Sequence, residues 1–132
     1  NASDPLARMR YQKRMSKLKV GNTKEIFDKN ITHFNLESKV TAIVADSLSA
    51  SKTFSEQSHS IDLLFIDGDH SEEATKNDIK VWLPFVKHGG LIVFHDFTSN
   101  HGVPQAIWWA VKQSYFSELV GVYGTMIAFK VC

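Results

Sequence analysis

The sequence predicts an α/β fold with a mainly parallel sheet that closes in an antiparallel C-terminal hairpin. Three observations predict it. Two short runs, Ile61–Asp67 (IDLLFID) and Leu91–Asp96 (LIVFHD), are dominated by apolar residues and end in acid, and strands covered on both faces should be apolar. A helical pattern separates them, and such spacing implies a crossover between parallel strands. The last stretch, Glu118–Tyr123 and Met126–Val131 about Gly124, has the form of a hairpin.

The elements follow in order. Arg8–Leu18 suits a helix, with Met9, Met15 and Leu18 as sparse apolar marks and Gly21-Asn22 after its end. Thr23–Phe34 is a second helix, because Ile26, Phe27, Ile31 and Phe34 recur at helical spacing behind a capping Thr23. Asn35–Ser38 is a turn. Lys39–Asp46 (KVTAIVAD) is β-branched and reads as a strand, and Ser47–Glu56 as a short helix before the polar loop Gln57–Ser60. After Ile61–Asp67, Ser71 opens a helix with Glu72 and Glu73 in its first turn, where carboxylates complement the dipole. Its inner face is Ala74, Ile79, Trp82, Leu83 and Val86. Pro84 should tighten its end, and Gly89-Gly90 should stop it. Val103–Phe116 is the last helix, with Pro104 in a first turn that needs no N–H.

The 132 residues suit one domain, divided into a basic helical segment (1–35) and an α/β core (36–132). Residues 1–24 carry seven basic side chains against Asp4, a net of +6, and the remainder carries 8 basic and 13 acidic groups, a net of −5. Tyr11 is the sole aromatic in the basic arm, so stacking platforms are missing and the arm reads as a solvated helix face, not a nucleic-acid grip. No apolar run approaches the roughly 18 residues of a spanning helix, and no leader pattern is seen. Cys132 is the single cysteine, which argues against a disulfide scaffold or a structural zinc finger and suits a cytoplasmic protein.

Chemistry concentrates where three strands end in acid: Asp46, Asp67 and Asp96. Ligands bind at the carboxyl ends of parallel strands. Asp67-Gly68-Asp69-His70 and His95-Asp96 add two imidazoles there. Converging carboxylates repel unless a cation or hydrogen bonds compensate, and a hard cation such as Mg²⁺ is a natural solution. His70, at the helix entrance, is placed to take a proton from a substrate hydroxyl. The alternative is that His70 and His95 only cap helices or loops.

FIDGDH and GGLIVFHD resemble the C-terminal core of class I S-adenosylmethionine-dependent methyltransferases, and more narrowly their metal-dependent O-methyltransferase branch. The resemblance covers about a hundred residues. It implies a partial Rossmann-like three-layer sandwich that transfers a methyl group from S-adenosylmethionine to a small-molecule hydroxyl. It implies metal ligands at Asp67 and Asp96 with His95 as a third, a general base at His70, and cofactor contacts at Asp46, Ser47 and Asp67, with Asp4 on the ribose. The FTSNHG loop would shape the acceptor pocket, with His101 as a contact.

None of the seven glycines forms a GxG turn between a strand and a helix. If Asp4 closes the second strand of such a fold, the chain starts just after it. The apolar edge thus exposed should be covered by Lys39–Asp46 pairing beside Ile61–Asp67, or by a second copy in a homo-oligomer. Two other functions compete: a metal-dependent hydrolase or phosphoryl-transfer enzyme using Asp67 and Asp69, and a non-catalytic dimerising module in which Trp108 or Trp109 lines a partner surface.

Overall fold

A computed structural model describes residues 5–18, 23–55, 60–98 and 102–132. Its contacts divide the chain into two units, Asn1–Ile43 and Val44–Cys132.

The first unit holds helices α1 (Pro5–Leu18) and α2 (Thr23–His33). In α2, Lys24 and Asp28 pair one turn apart at 2.6 Å. Asn35 takes φ 55°, and the Leu36 N–H returns to the Ile31 carbonyl at 2.9 Å, which closes the helix in the expected turn. Residues 40–44 form no strand. Their β-branched composition supplies propensity, but a strand needs a ladder partner, and β1 pairs only with β2 among the described residues. The expected pairing of Lys39–Asp46 beside Ile61–Asp67 is therefore corrected.

The second unit runs α3 (Ser47–Ser55), β1 (Ile61–Ile66), α4 (Glu72–Trp82), β2 (Val86–Phe94), α5 (Val103–Lys112), β3 (Phe116–Tyr123) and β4 (Met126–Val131). The sheet order is β1-β2-β4-β3. β1 and β2 are parallel, and β4 is antiparallel to both its neighbours, so three of the four strands point one way. This is the expected α/β class, with the hairpin turning at Gly124, φ 63°.

The core lies between the sheet and the helices α4 and α5. Ile92 and Phe94 of β2, Ile79 of α4 and Ala106 and Ala110 of α5 are fully buried. Ser71 caps α4 by accepting the Ala74 N–H at 3.3 Å. The helix ends at Trp82, earlier than expected. Pro84 sits in a single 3-10 turn, Leu83–Phe85, and β2 starts at once at Val86. Gly89-Gly90 thus lies inside β2, not at a helix stop. The register jumps from Ile61↔Val86 to Leu63↔Leu91, and Gly89 at φ 74° takes up the extra residues. Similarly, α5 stops at Lys112, and Ser114 at φ 58° turns the chain into β3.

Candidate active site

Parallel pairing builds the site. Ile66 lies beside Phe94, and the His95 N–H extends the ladder to the Ile66 carbonyl at 3.0 Å. Asp67 and His95-Asp96 therefore leave the sheet side by side. Asp69 then turns the chain: its Oδ1 accepts the Ser71 N–H at 2.8 Å, which delivers His70 to the mouth of α4. The Gly102 N–H donates to the His70 carbonyl at 2.8 Å. A Cβ at Gly102 would collide with the Glu72 backbone, so only glycine lets α5 start this close to α4.

Four side chains converge. His70 Nε2 lies 3.1 Å from Asp96 Oδ2 and 3.7 Å from Asp67 Oδ1. His95 Nδ1 lies 3.3 Å from both of those oxygens. It is shielded from solvent, yet neither carboxylate is in line for a hydrogen bond to it. Asp96 holds φ 54°, rare outside glycine and tolerated best by Asn and Asp. On its far edge, His95 Nε2 meets the Thr125 hydroxyl at 3.1 Å. The donor atoms of Asp67, His95 and Asp96 lie within 4.8 Å of one another. Two carboxylate oxygens and an imidazole nitrogen suit a divalent cation, and the poorly bonded Nδ1 facing both oxygens fits that use.

The other predicted residues lie elsewhere. Asp46 caps α3: Oδ1 accepts the Ser49 N–H at 2.9 Å and Oδ2 the Ser49 hydroxyl at 2.7 Å. The Ser49 hydroxyl, and then its N–H, hold the Asp46 carboxyl below its ordinary pKa. Ser47 Oγ accepts the Trp82 indole N–H at 2.7 Å. Ser47 borders a groove of about 610 Å³ that Ala45, Leu63, Phe65, Asp67 and Trp82 also line, and it reaches the cluster through Asp67; Asp46 is not part of its lining. Asp69 is engaged in its own turn, where the Ser71 N–H and then its hydroxyl lower its pKa. It is not among the clustered donors, so the paired use of Asp67 and Asp69 gains no support. Asp4 and His101 lie outside the described residues. Sequence reasoning missed Thr125, whose only signal was its place after Gly124 in the hairpin turn.

Among the described residues no helix is long and apolar enough to cross a membrane. The fold is similar to a putative caffeoyl-CoA O-methyltransferase from Staphylococcus aureus, with 20% identity and a TM-score of 0.62 over 85% of this chain and 61% of that one. It is also similar to the MycE methyltransferase of the mycinamycin pathway, solved with Mg and SAH, with 15% identity and a TM-score of 0.53 over 72% of this chain and 33% of that one. A third likeness is to the TDP-rhamnose 3'-O-methyltransferase of calicheamicin biosynthesis, with 15% identity and a TM-score of 0.54 over 67% of this chain and 39% of that one. An uncharacterized protein of Acanthamoeba polyphaga mimivirus is 43% identical over 47 residues, 36% of this chain and 21% of that protein. The chain thus matches about a fifth of that curated relative and no more than 61% of these solved chains. Residues 7–97, more than half of the chain, match the family described as a methyltransferase domain, and the chain belongs to that family.

Proposed function

We propose that this domain takes part in S-adenosylmethionine-dependent methyl transfer to the hydroxyl of a small molecule, with a divalent cation, Mg²⁺ for preference, held by Asp67, Asp96 and His95. The convergence of those three side chains with His70 at one sheet edge carries the reading. The bound cation would lower the pKa of the acceptor hydroxyl. S-adenosylmethionine would supply an electrophilic methyl group on a sulfonium.

The chain's own residues do the rest. The groove along β1 would receive the cofactor, with Ser47 and Asp67 in its lining, and with Asp46 as a further proposed contact and Asp4 proposed for the ribose. Asp96 Oδ2, 3.1 Å from His70 Nε2, would stabilise the imidazolium that forms when His70 takes up a proton. His70 accepts the hydroxyl proton while the acceptor oxygen forms its bond to the methyl carbon. The carbon–sulfur bond breaks, and its electron pair stays on sulfur as a neutral thioether. Histidine suits this task because its ordinary proton affinity lies near neutral pH. Most of the acceleration would come from positioning and fixed charge.

Calorimetric titration of S-adenosylhomocysteine with and without Mg²⁺ tests the reading. Saturable binding that tightens with Mg²⁺ is expected. Its absence at millimolar ligand would assign the activity to a longer chain. We further propose that the protein is a homo-oligomer in which a second copy pairs with the outer edge of β1, the edge strand of the sheet. Light scattering that shows a monomer at all concentrations would overturn this.

A further inference from the structure

We infer that Thr125, in the turn between β3 and β4, is a positioning residue whose hydroxyl reverses its hydrogen bond to His95 when a cation enters the site. The inference rests on the cation reading given under Proposed function. Thr125 grips both neighbours of Asp96. Its hydroxyl meets His95 Nε2 at 3.1 Å, and its carbonyl accepts the Phe97 N–H at 2.9 Å. Asp96 between them holds the left-handed φ of 54°. The register explains the reach: Phe94 pairs with Ile127, and two more steps set Thr125 opposite Asp96.

The chemistry requires an adaptable partner. Without a cation, His95 Nδ1 faces Asp67 Oδ1 and Asp96 Oδ2, each 3.3 Å away, and ionised carboxylates only accept. Neither oxygen is in line for a hydrogen bond, but their combined charge favours a proton over a lone pair on Nδ1, and the Thr125 hydroxyl then donates to Nε2. With a cation between those oxygens, Nδ1 must offer its lone pair. The proton moves to Nε2, and the same hydroxyl accepts. A hydroxyl does both without moving its oxygen, whereas a carbonyl or an ammonium would favour one form. Partners of this kind fix the tautomer of a metal-binding histidine, and their loss typically weakens cation affinity by roughly 10–100-fold.

The test is long-range ¹H–¹⁵N NMR of histidine-labelled protein at a pH where imidazole is neutral, with His95 assigned by a His95→Gln spectrum. Mg²⁺ affinity is read in parallel by calorimetry. In the unmutated protein, His95 should shift from the Nδ1–H to the Nε2–H form as Mg²⁺ saturates. Thr125→Ser should behave alike. Thr125→Val, of the same shape, should lose the shift and bind Mg²⁺ about 10-fold more weakly. Equal affinity and an equal shift in Thr125→Val would overturn the inference. If the unmutated protein binds no Mg²⁺, the cation reading fails separately. The reversal then falls with it, whereas Mg²⁺ binding without a shift of the His95 tautomer overturns the reversal alone.

Discussion

Two acidic corners of the second unit look alike in sequence and differ in the structure. At Asp46 the carboxylate spends both oxygens on Ser49 and caps α3. At Asp67 and Asp96 the carboxylates face each other across two imidazole nitrogens, and a shielded Nδ1 lies between them without an in-line bond. The first corner is satisfied by its own chain. The second brings carboxylates and imidazoles from separate elements together, and such convergence, more than acidity, is what makes it the candidate for chemistry.

Substitutions can break this comparison, and the largest effect should come from the proposed base. His70→Ala should lower turnover by about 10²–10⁴-fold, with circular dichroism unchanged, because general-base catalysis contributes on that order. Activity that survives within a few-fold would remove His70 from the chemistry. Asp67→Asn sharpens the contrast: it should abolish Mg²⁺-dependent binding yet leave the melting temperature equal or higher, since it relieves repulsion within the cluster. A clear fall in melting temperature would make Asp67 a structural residue instead. Loss of the Ser71 cap, in Ser71→Ala, should destabilise by about 1 kcal/mol in denaturant titration, because it frees the Ala74 N–H.

The smallest effect belongs to Asp46. Its folded-state pKa is lowered, by the Ser49 hydroxyl first. Its stabilisation is therefore present above the ordinary aspartate value of 3.8 and is lost as pH falls through the depressed one. Asp46→Ala should melt slightly below the unmutated protein at neutral pH, and the difference should vanish once the pH has fallen through the depressed Asp46 value, below 3.8. A gap that persists in acid would assign the loss to packing.

The sequence showed the site more clearly than the sheet that carries it. Asp67, His70, His95 and Asp96 were legible because each adjoins an apolar strand, and strand ends share an edge when a helix lies between them. Lys39–Asp46 misled because β propensity describes a surface fit and not a neighbour. The end of α4 was misplaced because a double glycine can stop a helix or kink a strand, and Pro84 had already ended the helical run. Thr125 was illegible for a topological reason. The hairpin was evident, but only the insertion of β4 next to β2 carries its turn to Asp96.

The left-handed backbone at Asp96 has a consequence for selection experiments. Few residue types accept that geometry without strain, chiefly glycine, asparagine and aspartate. A library randomised at this codon and sorted for soluble expression should return those three. The same library sorted for turnover should return aspartate alone. One position would thus report separately on what the polypeptide needs in order to fold and what it needs in order to react.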